Sequence, residues 1–496
     1  MGRGTVMAKT VYSVIPKKIY GVIPKSVYNV DMAADAELSV YITSYYVSSW
    51  TQAIQDACAA LKTIGGGTII FPAGDYLIKP LLINVSGNNI TFKGVGTVRL
   101  YTAETVLWNY CIMVTGDNVI FNNLTFDHRG DSALLPTTSP YKGAISIWFN
   151  GSDYSTTRDC TFYTYAIVCV LCDNYNGLAA NQFDFYNNHQ YFQRKVDSWY
   201  DVSNVNLQAK TIHYYNNVSN SVQTAFTTWK ARSGAELHFA KGYATNNTFD
   251  GSQVGILYEP WGSDYSGDYD PLFGADVLIN LNTVTKAVIG IELWTGMGGA
   301  DRTFRNVTIQ DNTLGLYFEN KAYSKPTGGI LFYKGGAYDT EIQDVAIHDN
   351  AINFTYNASD YANLAAVRGA YYLAVYGEDT GAFCLNIANT MRRISIHDNT
   401  VSQFPYSLIN LYRRSGSVSV VHDDVSFYDN TVTNSCYAEP FTHSPYPSCK
   451  ACFTLGYSDT VSITGNAISN ASIALQAQKE ELAYLTNLTY TGNTFT

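Results

Sequence analysis

Two glutamates are the side chains best placed to do chemistry. Glu259 ends the segment Gly255-Ile256-Leu257-Tyr258-Glu259, and Glu292 lies within Gly290-Ile291-Glu292-Leu293-Trp294. Paired carboxylates cleave glycosidic bonds when they stand about 5–5.5 Å apart for retention or about 6.5–9.5 Å apart for inversion. If the two segments are neighbouring strands, the glutamates are offset by two positions, which suits such a separation. One would act as the acid and the other as the base. The alternative is that both hold loops or bind ligand without chemistry. The densest titratable run is Asp127-His128-Arg129-Gly130-Asp131. A histidine flanked by carboxylates can move protons, or the run can be an Arg–Asp lock in a turn. Asp264, Asp268 and Asp270 form an oxygen-rich loop that could hold calcium, although it lacks the spacing of a helix-loop-helix site. No other cofactor is indicated. Cys436, Cys449 and Cys452 with His443 can be read as a disulfide loop or as four zinc ligands. Cys58, Cys111, Cys160, Cys169 and Cys172 sit in apolar contexts that suit buried thiols.

The same Gly- or Ala-led segments can be aligned on their first residue. Their fifth residues are then Trp148, Val170, Trp229, Glu259, Trp294, Tyr333 and Tyr376. With the second and fourth residues inward, the fifth points out. Strands about 4.8 Å apart would make these aromatics a ladder. Lys230, Glu292, Lys334, Glu378, Asp379 and Arg413 lie on or just past the same strands. Aromatic faces with carboxylates and amides nearby are what a sugar-binding surface needs. Alternatively, long loops cover these side chains and make a second small core.

Chemistry on such a flank needs a scaffold of repeated strands, and the chain supplies one. Val307-Thr308-Ile309-Gln310-Asp311-Asn312-Thr313-Leu314 resembles Val345 to Ile352, and the pattern returns at Ile394, Val425, Val461 and Leu488. Each unit is an alternating strand, a tight turn and another strand. The turn carries Asp-Asn or Gly-Asn. Asn tolerates the left-handed backbone there, and stacked asparagines can hydrogen-bond from coil to coil. Period-two alternation excludes a helical solenoid. One helix stands out: Ser49 to Gln52 has capping-box spacing. Ala53, Ile54, Ala57, Cys58 and Leu61 form one stripe, and Gly65-Gly66-Gly67 ends it. Such a helix would plug the open end of a solenoid core. Before it, Val11 to Lys17 recurs as Ile19 to Lys25 and begins again at Val27. Proline-broken apolar alternation suits an extended arm that docks on another subunit.

Composition sets further bounds. The chain has 496 residues, 31 Lys plus Arg against 41 Asp plus Glu, and a net charge of −10. A basic nucleic-acid surface is therefore disfavoured. No apolar run reaches the roughly 18 residues of a membrane span, and residues 1–10 lack the apolar region of a secretory signal. Eleven Asn-x-Ser/Thr sequons occur, at Asn84, Asn89, Asn123, Asn150, Asn217, Asn246, Asn306, Asn353, Asn357, Asn470 and Asn487. They read either as a glycosylated surface or as the chance product of a chain rich in Asn, Ser and Thr.

The helix, the glycine run and Phe71-Pro72-Ala73-Gly74-Asp75-Tyr76 resemble the opening segment of pectate-lyase-like β-helix proteins, and the Asp-Asn repeats resemble their coils. The resemblance covers roughly residues 48 to 496. It implies an all-β chain: a single-stranded right-handed parallel β-helix of three sheets with an N-terminal capping helix, here preceded by an extended arm. The expected division is arm 1–31, linker 32–47, cap and first strand 48–76, and β-helix 77–496. Within that superfamily, organisation is most similar to viral tailspikes and fibres. That implies a virion-surface or extracellular location, contact with surface polysaccharide or glycoprotein glycans, attachment to other virion subunits through residues 1–31, and a homo-oligomer, by analogy a trimer. The resemblance departs at the catalytic motifs. The polygalacturonase set is absent, and the only adjacent aspartates, Asp423-Asp424, precede a repeat strand. A polysaccharide lyase or glycoside hydrolase is the rival expectation, and a purely structural capsid or cell-surface protein is the third.

Overall fold

A computed structural model describes residues 38–80, 83–103, 109–128, 144–164, 168–173, 180–192, 202–221, 232–260, 276–295, 302–316, 328–334, 340–354, 381–384, 391–403, 408–411, 423–435, 453–455, 459–470, 475–477 and 487–496. Their strands pair in parallel throughout and stack coil on coil. Each regular coil has three strands, which build three faces. In one coil these are Arg302–Gln310 on face I, Thr313–Leu316 on face II and Gly328–Lys334 on face III. The next coil repeats them as Thr340–His348, Ala351–Phe354 and Gly381–Cys384. Side chains alternate, so the inward positions form continuous columns. On face III that column runs Ile147, Val170, Val205, Ala235, Ile256, Ile291, Ile330, Phe383, each fully buried.

The corner between faces I and II is fixed by asparagine. Asn188, Asn217, Asn247, Asn282, Asn312, Asn350, Asn399, Asn430, Asn466 and Asn493 stack from coil to coil. At the rung of Asn350, its backbone N–H donates to Asn399 Oδ1 at 3.0 Å. Its Nδ2 donates to the same oxygen at 3.0 Å and back to the Ile309 carbonyl at 2.9 Å. A buried amide is tolerated because donors and acceptor are all used. The left-handed residue, however, is the one before each rung. Asp311, Asp349, Asp398 and Asp429 have φ of 51–55°, and Gly465 and Gly492 have 69°. The turn thus divides the labour that sequence reasoning assigned to one asparagine: the first residue bends the chain and the second ties the coils.

Face III begins differently. Gly234, Gly255, Gly290 and Gly329 stack so closely that a Cβ on Gly290 would lie 2.6 Å from the Gly329 carbonyl oxygen and 2.8 Å from Leu314 Cδ1. Only a hydrogen fits there, which is the physical reason for the Gly-led strands.

The helix Trp50–Thr63 caps the first coil with Ala53, Ile54, Ala57, Cys58 and Leu61 buried against strands Gly67–Leu77 and Ile83–Val85. Half of the expected capping box forms. Ser49 Oγ accepts from the Gln52 backbone N–H at 3.3 Å, while the Gln52 side chain turns to Asp56 instead. Cys58, Cys111, Cys160, Cys169 and Cys172 are buried thiols. Burial pushes Cys58 and Cys160 up to about 12. No helix among the described residues is long and apolar enough to cross a membrane. Residues 1–37, the Cys436–Cys452 loop and the acidic loop with Asp264, Asp268 and Asp270 lie outside the described residues.

Candidate functional site

The outer side of face III concentrates the buried charge. The strand Arg232–Phe239 alternates Glu236 and His238 outward, and its neighbour Val254–Pro260 brings Glu259 beside His238. His238 Nε2 lies 3.1 Å from Glu236 Oε1, and its Nδ1 lies 3.3 Å from Glu259 Oε2. Ser203 Oγ donates to the other oxygen of Glu236. Burial alone would lower the His238 pKa, but Glu259 and Glu236 outweigh it and hold it above its ordinary value. The trio is therefore an imidazole clamped between two carboxylates, whose charges favour its protonated form and offset part of the cost of burying it.

Glu292 stands on the next strand, Ile289–Thr295, opposite Leu257 and followed by Leu331. Glu259 and Glu292 are thus on adjacent coils and offset by two positions, as their spacing suggests. One strand step of about 4.8 Å and two residues of about 3.3 Å put their Cα atoms roughly 8 Å apart. Glu259 is 4% exposed and Glu292 2% exposed, so neither is open to bulk water. Beside them Val254, Leu257, Val288, Ile289 and Leu331 form an apolar cluster separate from the main core. On these coils the described outward side chains Leu257, Glu259, Glu292 and Leu331 are all buried.

Four coils before Glu259, on the strand Ala144–Asn150, the flank opens. Trp148 is half-buried; its Nε1 donates to Asp173 Oδ1 at 2.7 Å, and its ring lies 5.2 Å from Tyr110. Trp148 pairs with Leu171 and so shares the column of Glu236, Leu257 and Glu292. It does not share the column of Glu259, which the alignment on leading small residues implied. Val170 points inward and is fully buried. The residue equivalent to Gly255 is Ser146, two positions past Ala144, so counting from Ala144 shifted the register by two. Trp294 does pair with Tyr333, and Thr295 with Lys334. Trp229, Lys230, Tyr376, Glu378, Asp379 and Arg413 lie outside the described residues.

Glu236 and His238 were missed, although a signal existed. Gly234-Ala235-Glu236-Leu237-His238 is itself a Gly-led strand whose fifth residue is His238. Face I also carries aromatic stacks that the alignment did not seek. Tyr186 lies on Tyr215 at 4.6 Å, His213 on Tyr243 at 4.7 Å, and His348 on His397 at 4.9 Å.

The Asp127–His128 reading is corrected. Asp127 accepts from Arg99 Nη2 at 2.9 Å, on the preceding coil, and Arg129 and Asp131 lie outside the described residues. His128 is fully buried inside the helix against Phe126, and burial lowers it to about 3. A neutral imidazole sealed in the core has no route for proton transfer to a ligand. Two sequons are also corrected as glycan acceptors. Asn217 is a ladder rung, 1% exposed, whose Nδ2 donates to the Phe185 carbonyl at 3.0 Å. Asn150 is 9% exposed. Asn84, Asn89, Asn123, Asn246, Asn306, Asn353, Asn470 and Asn487 are exposed, and Asn357 lies outside the described residues.

These features define the right-handed parallel β-helix of phage tailspikes. The tailspike protein of E. coli bacteriophage HK620 in complex with a pentasaccharide is similar at 13% identity and a TM-score of 0.54, over 92% of this chain and 75% of that one. Two variants of the same tailspike are similar at 12% identity. The one bound to a pentasaccharide has a TM-score of 0.55 over 92% and 80% of the chains, and the one bound to a hexasaccharide 0.52 over 92% and 78%. At such identity the likeness shows the fold. No protein-family model matches the chain, and no curated protein matches it in sequence.

Proposed function

We propose that the protein is a virion-surface spike that recognises host-surface glycans along the outer side of face III. The observation that carries this reading is Trp148. Its ring is partly open, and its indole N–H is held by Asp173 at 2.7 Å, so the ring plane is fixed before any ligand arrives. A preset aromatic plane beside a carboxylate stacks on a sugar ring and accepts from its hydroxyls. The tailspikes of the same fold that carry oligosaccharides support the ligand class. Residues 1–31 would join the spike to other virion subunits, and the spike would be a homo-oligomer, by tailspike analogy a trimer.

The test is binding to a panel of surface polysaccharides with simultaneous product analysis. Binding that is lost in Trp148→Ala without loss of folding supports the spike. Equal binding by Trp148→Ala, or none by the parent, sinks the proposed face and leaves a structural virion or cell-surface component.

A second reading rests on Glu259 and Glu292. Their Cα separation of roughly 8 Å leaves room for the two carboxyl groups to take a hydrolase spacing, with Glu259 as the base, held by His238 at 3.3 Å. Shortened products from the parent, and none from Glu259→Gln or Glu292→Gln, would establish an enzyme. Intact polysaccharide after incubation with the parent removes that reading.

A further inference from the structure

The small residue that opens a strand of face III stands opposite an inward residue of face II on the next coil. A Cβ on Gly234 would run into Phe249, and one on Gly255 would lie 2.6 Å from Val284 Cγ2. Glycine is thus matched with a bulky apolar side chain, and the interior there is apolar. Earlier coils break this rule at both positions together. Before Gly234 the same corner column reads Ser146, Cys169, Asn204. The facing inward column of face II reads Phe126, Phe162, Gln190, Ser219, Phe249. Two polar side chains replace phenyl rings where the corner itself turns polar, and Asn204 Nδ2 donates to Ser219 Oγ across the interior.

These groups do not satisfy one another. Gln190, Asn204, Tyr214 and Ser219 are all buried. Among the described residues, Gln190 Nε2 and Oε1, Asn204 Oδ1 and Tyr214 Oη have no hydrogen-bond partner. Gln190 is in register with Ser219, which the Asn204 amide already touches. Tyr214 lines the same stretch from face I, its ring stacked on Phe249 at 6.3 Å. Burial raises its phenol well above the ordinary value, and the Cys169 thiol adds to the rise. That thiol belongs to the same corner, since Cys169 Sγ donates to the Asn204 carbonyl at 2.7 Å. A buried donor or acceptor left unmatched costs its full desolvation penalty. Native interiors therefore match nearly all of them, with protein or with ordered water.

We infer that Gln190, Asn204, Tyr214 and Ser219 line an enclosed hydration site inside the β-helix, where ordered water bridges the Gln190 amide, Asn204 Oδ1 and the Tyr214 hydroxyl. The chemistry of the lining selects the ligand. Gln190 Nε2 only donates, Asn204 Oδ1 only accepts, and a hydroxyl does both. A ligand that matches all of them must donate and accept, which water does and a bare cation or anion does not. None of the four side chains is charged, and an enclosed water takes two to four polar partners of this kind. Ser219 supplies room, because its hydroxymethyl group stands in a column otherwise filled by Phe126, Phe162 and Phe249. The corner is polar outside as well: Ser203, one residue before Asn204, donates to Glu236. The wall between faces II and III is therefore polar on both sides at this coil, whereas from Gly255 to Gly329 its inner side meets only Val284, Leu314 and Ile352 side chains.

The test is a high-resolution crystal structure of the full chain, joined to denaturant unfolding of one variant. The expected density holds at least one enclosed solvent peak within hydrogen-bond distance of both Gln190 and Asn204 Oδ1. Gln190→Met keeps the length of the side chain and removes its polar atoms. In a hydrated site that change strands the water and Asn204 Oδ1, so the unfolding midpoint should fall. In a dry interior it removes an unmatched amide, so the midpoint should stay or rise. The paired change Asn204→Gly with Ser219→Phe copies the next coil, and its crystal structure should lack the peak while the fold is kept. Density with no solvent between Gln190 and Asn204 in the parent overturns the inference, and so does a midpoint that stays or rises in Gln190→Met.

Discussion

The corner between faces I and II and the flank of face III belong to the same coils but follow opposite rules. At the corner, ten coils repeat one asparagine with one hydrogen-bond pattern, from Asn188 to Asn493. On the flank, the outward column changes at every step: Trp148, Leu171, Asn206, Glu236, Leu257, Glu292, Leu331. The corner has one solution because a buried amide must satisfy all its donors and acceptors in its neighbours. The flank is constrained only by what covers it or binds it. Repetition therefore marks the scaffold, and variation at an outward position marks the place to look for function.

Three experiments would break or sharpen this contrast. The largest effect is expected at the corner. Asn350→Ala strands the donors of Asn312 and the Ile309 carbonyl. At about 1–3 kcal/mol for each stranded group, the loss is roughly 3–5 kcal/mol, read from the denaturant midpoint. Asn353→Ala, three residues on and exposed, should cost less than about 0.5 kcal/mol. Similar losses for both would end the distinction between corner and surface. The next effect is at the start of face III. Gly290→Ala forces a methyl against the Gly329 carbonyl and Leu314, and overpacking of this kind costs about 1–3 kcal/mol. An unchanged melting temperature would show that the coils can spread.

The smallest effect belongs to the flank and is a pH dependence. The carboxylates of Glu236 and Glu259 raise His238 in the folded chain. A raised folded value means that its contribution is complete below the unfolded value of about 6.5. The contribution is then lost as pH rises through the folded value. Stability should therefore decline on the alkaline side of about pH 6.5, and His238→Gln should flatten that decline. The same slope in parent and variant would remove the clamp from the account.

Most of the scaffold was legible because its signals are local. The Asp-Asn pairs, the Gly-led strands and the stripe Ala53, Ile54, Ala57, Cys58, Leu61 each state their structural reason in a few residues. The division of roles within Asp-Asn was not legible, since either residue tolerates the left-handed turn and only the stacking partner separates them. Site residues were less legible because an outward position depends on register, and a one- or two-residue error moves the side chain elsewhere. Ala144 and Ser146 are equally good small-residue landmarks, so Trp148 was assigned to the wrong column. His128 looked like surface chemistry because its neighbours in sequence are charged, yet alternation turns it into the core beside Phe126. Glu259 and Glu292 were placed correctly relative to each other because both follow an unambiguous glycine.

The turn of two residues has a consequence for how such a molecule can change. Strand ends are separated by residues 311–312, 349–350, 398–399, 429–430 and 465–466 at successive corners, always the same length. The connections from face II to face III run over 317–327, 355–380, 403–408, 434–452 and 470–474, with no common length. Doubling a flexible connection adds only about 0.6 kcal/mol of closure entropy. New sequence can therefore be spliced between faces II and III without disturbing a single rung. A lineage, or an engineer, could exchange these connections as cassettes while the coils beneath stay the same.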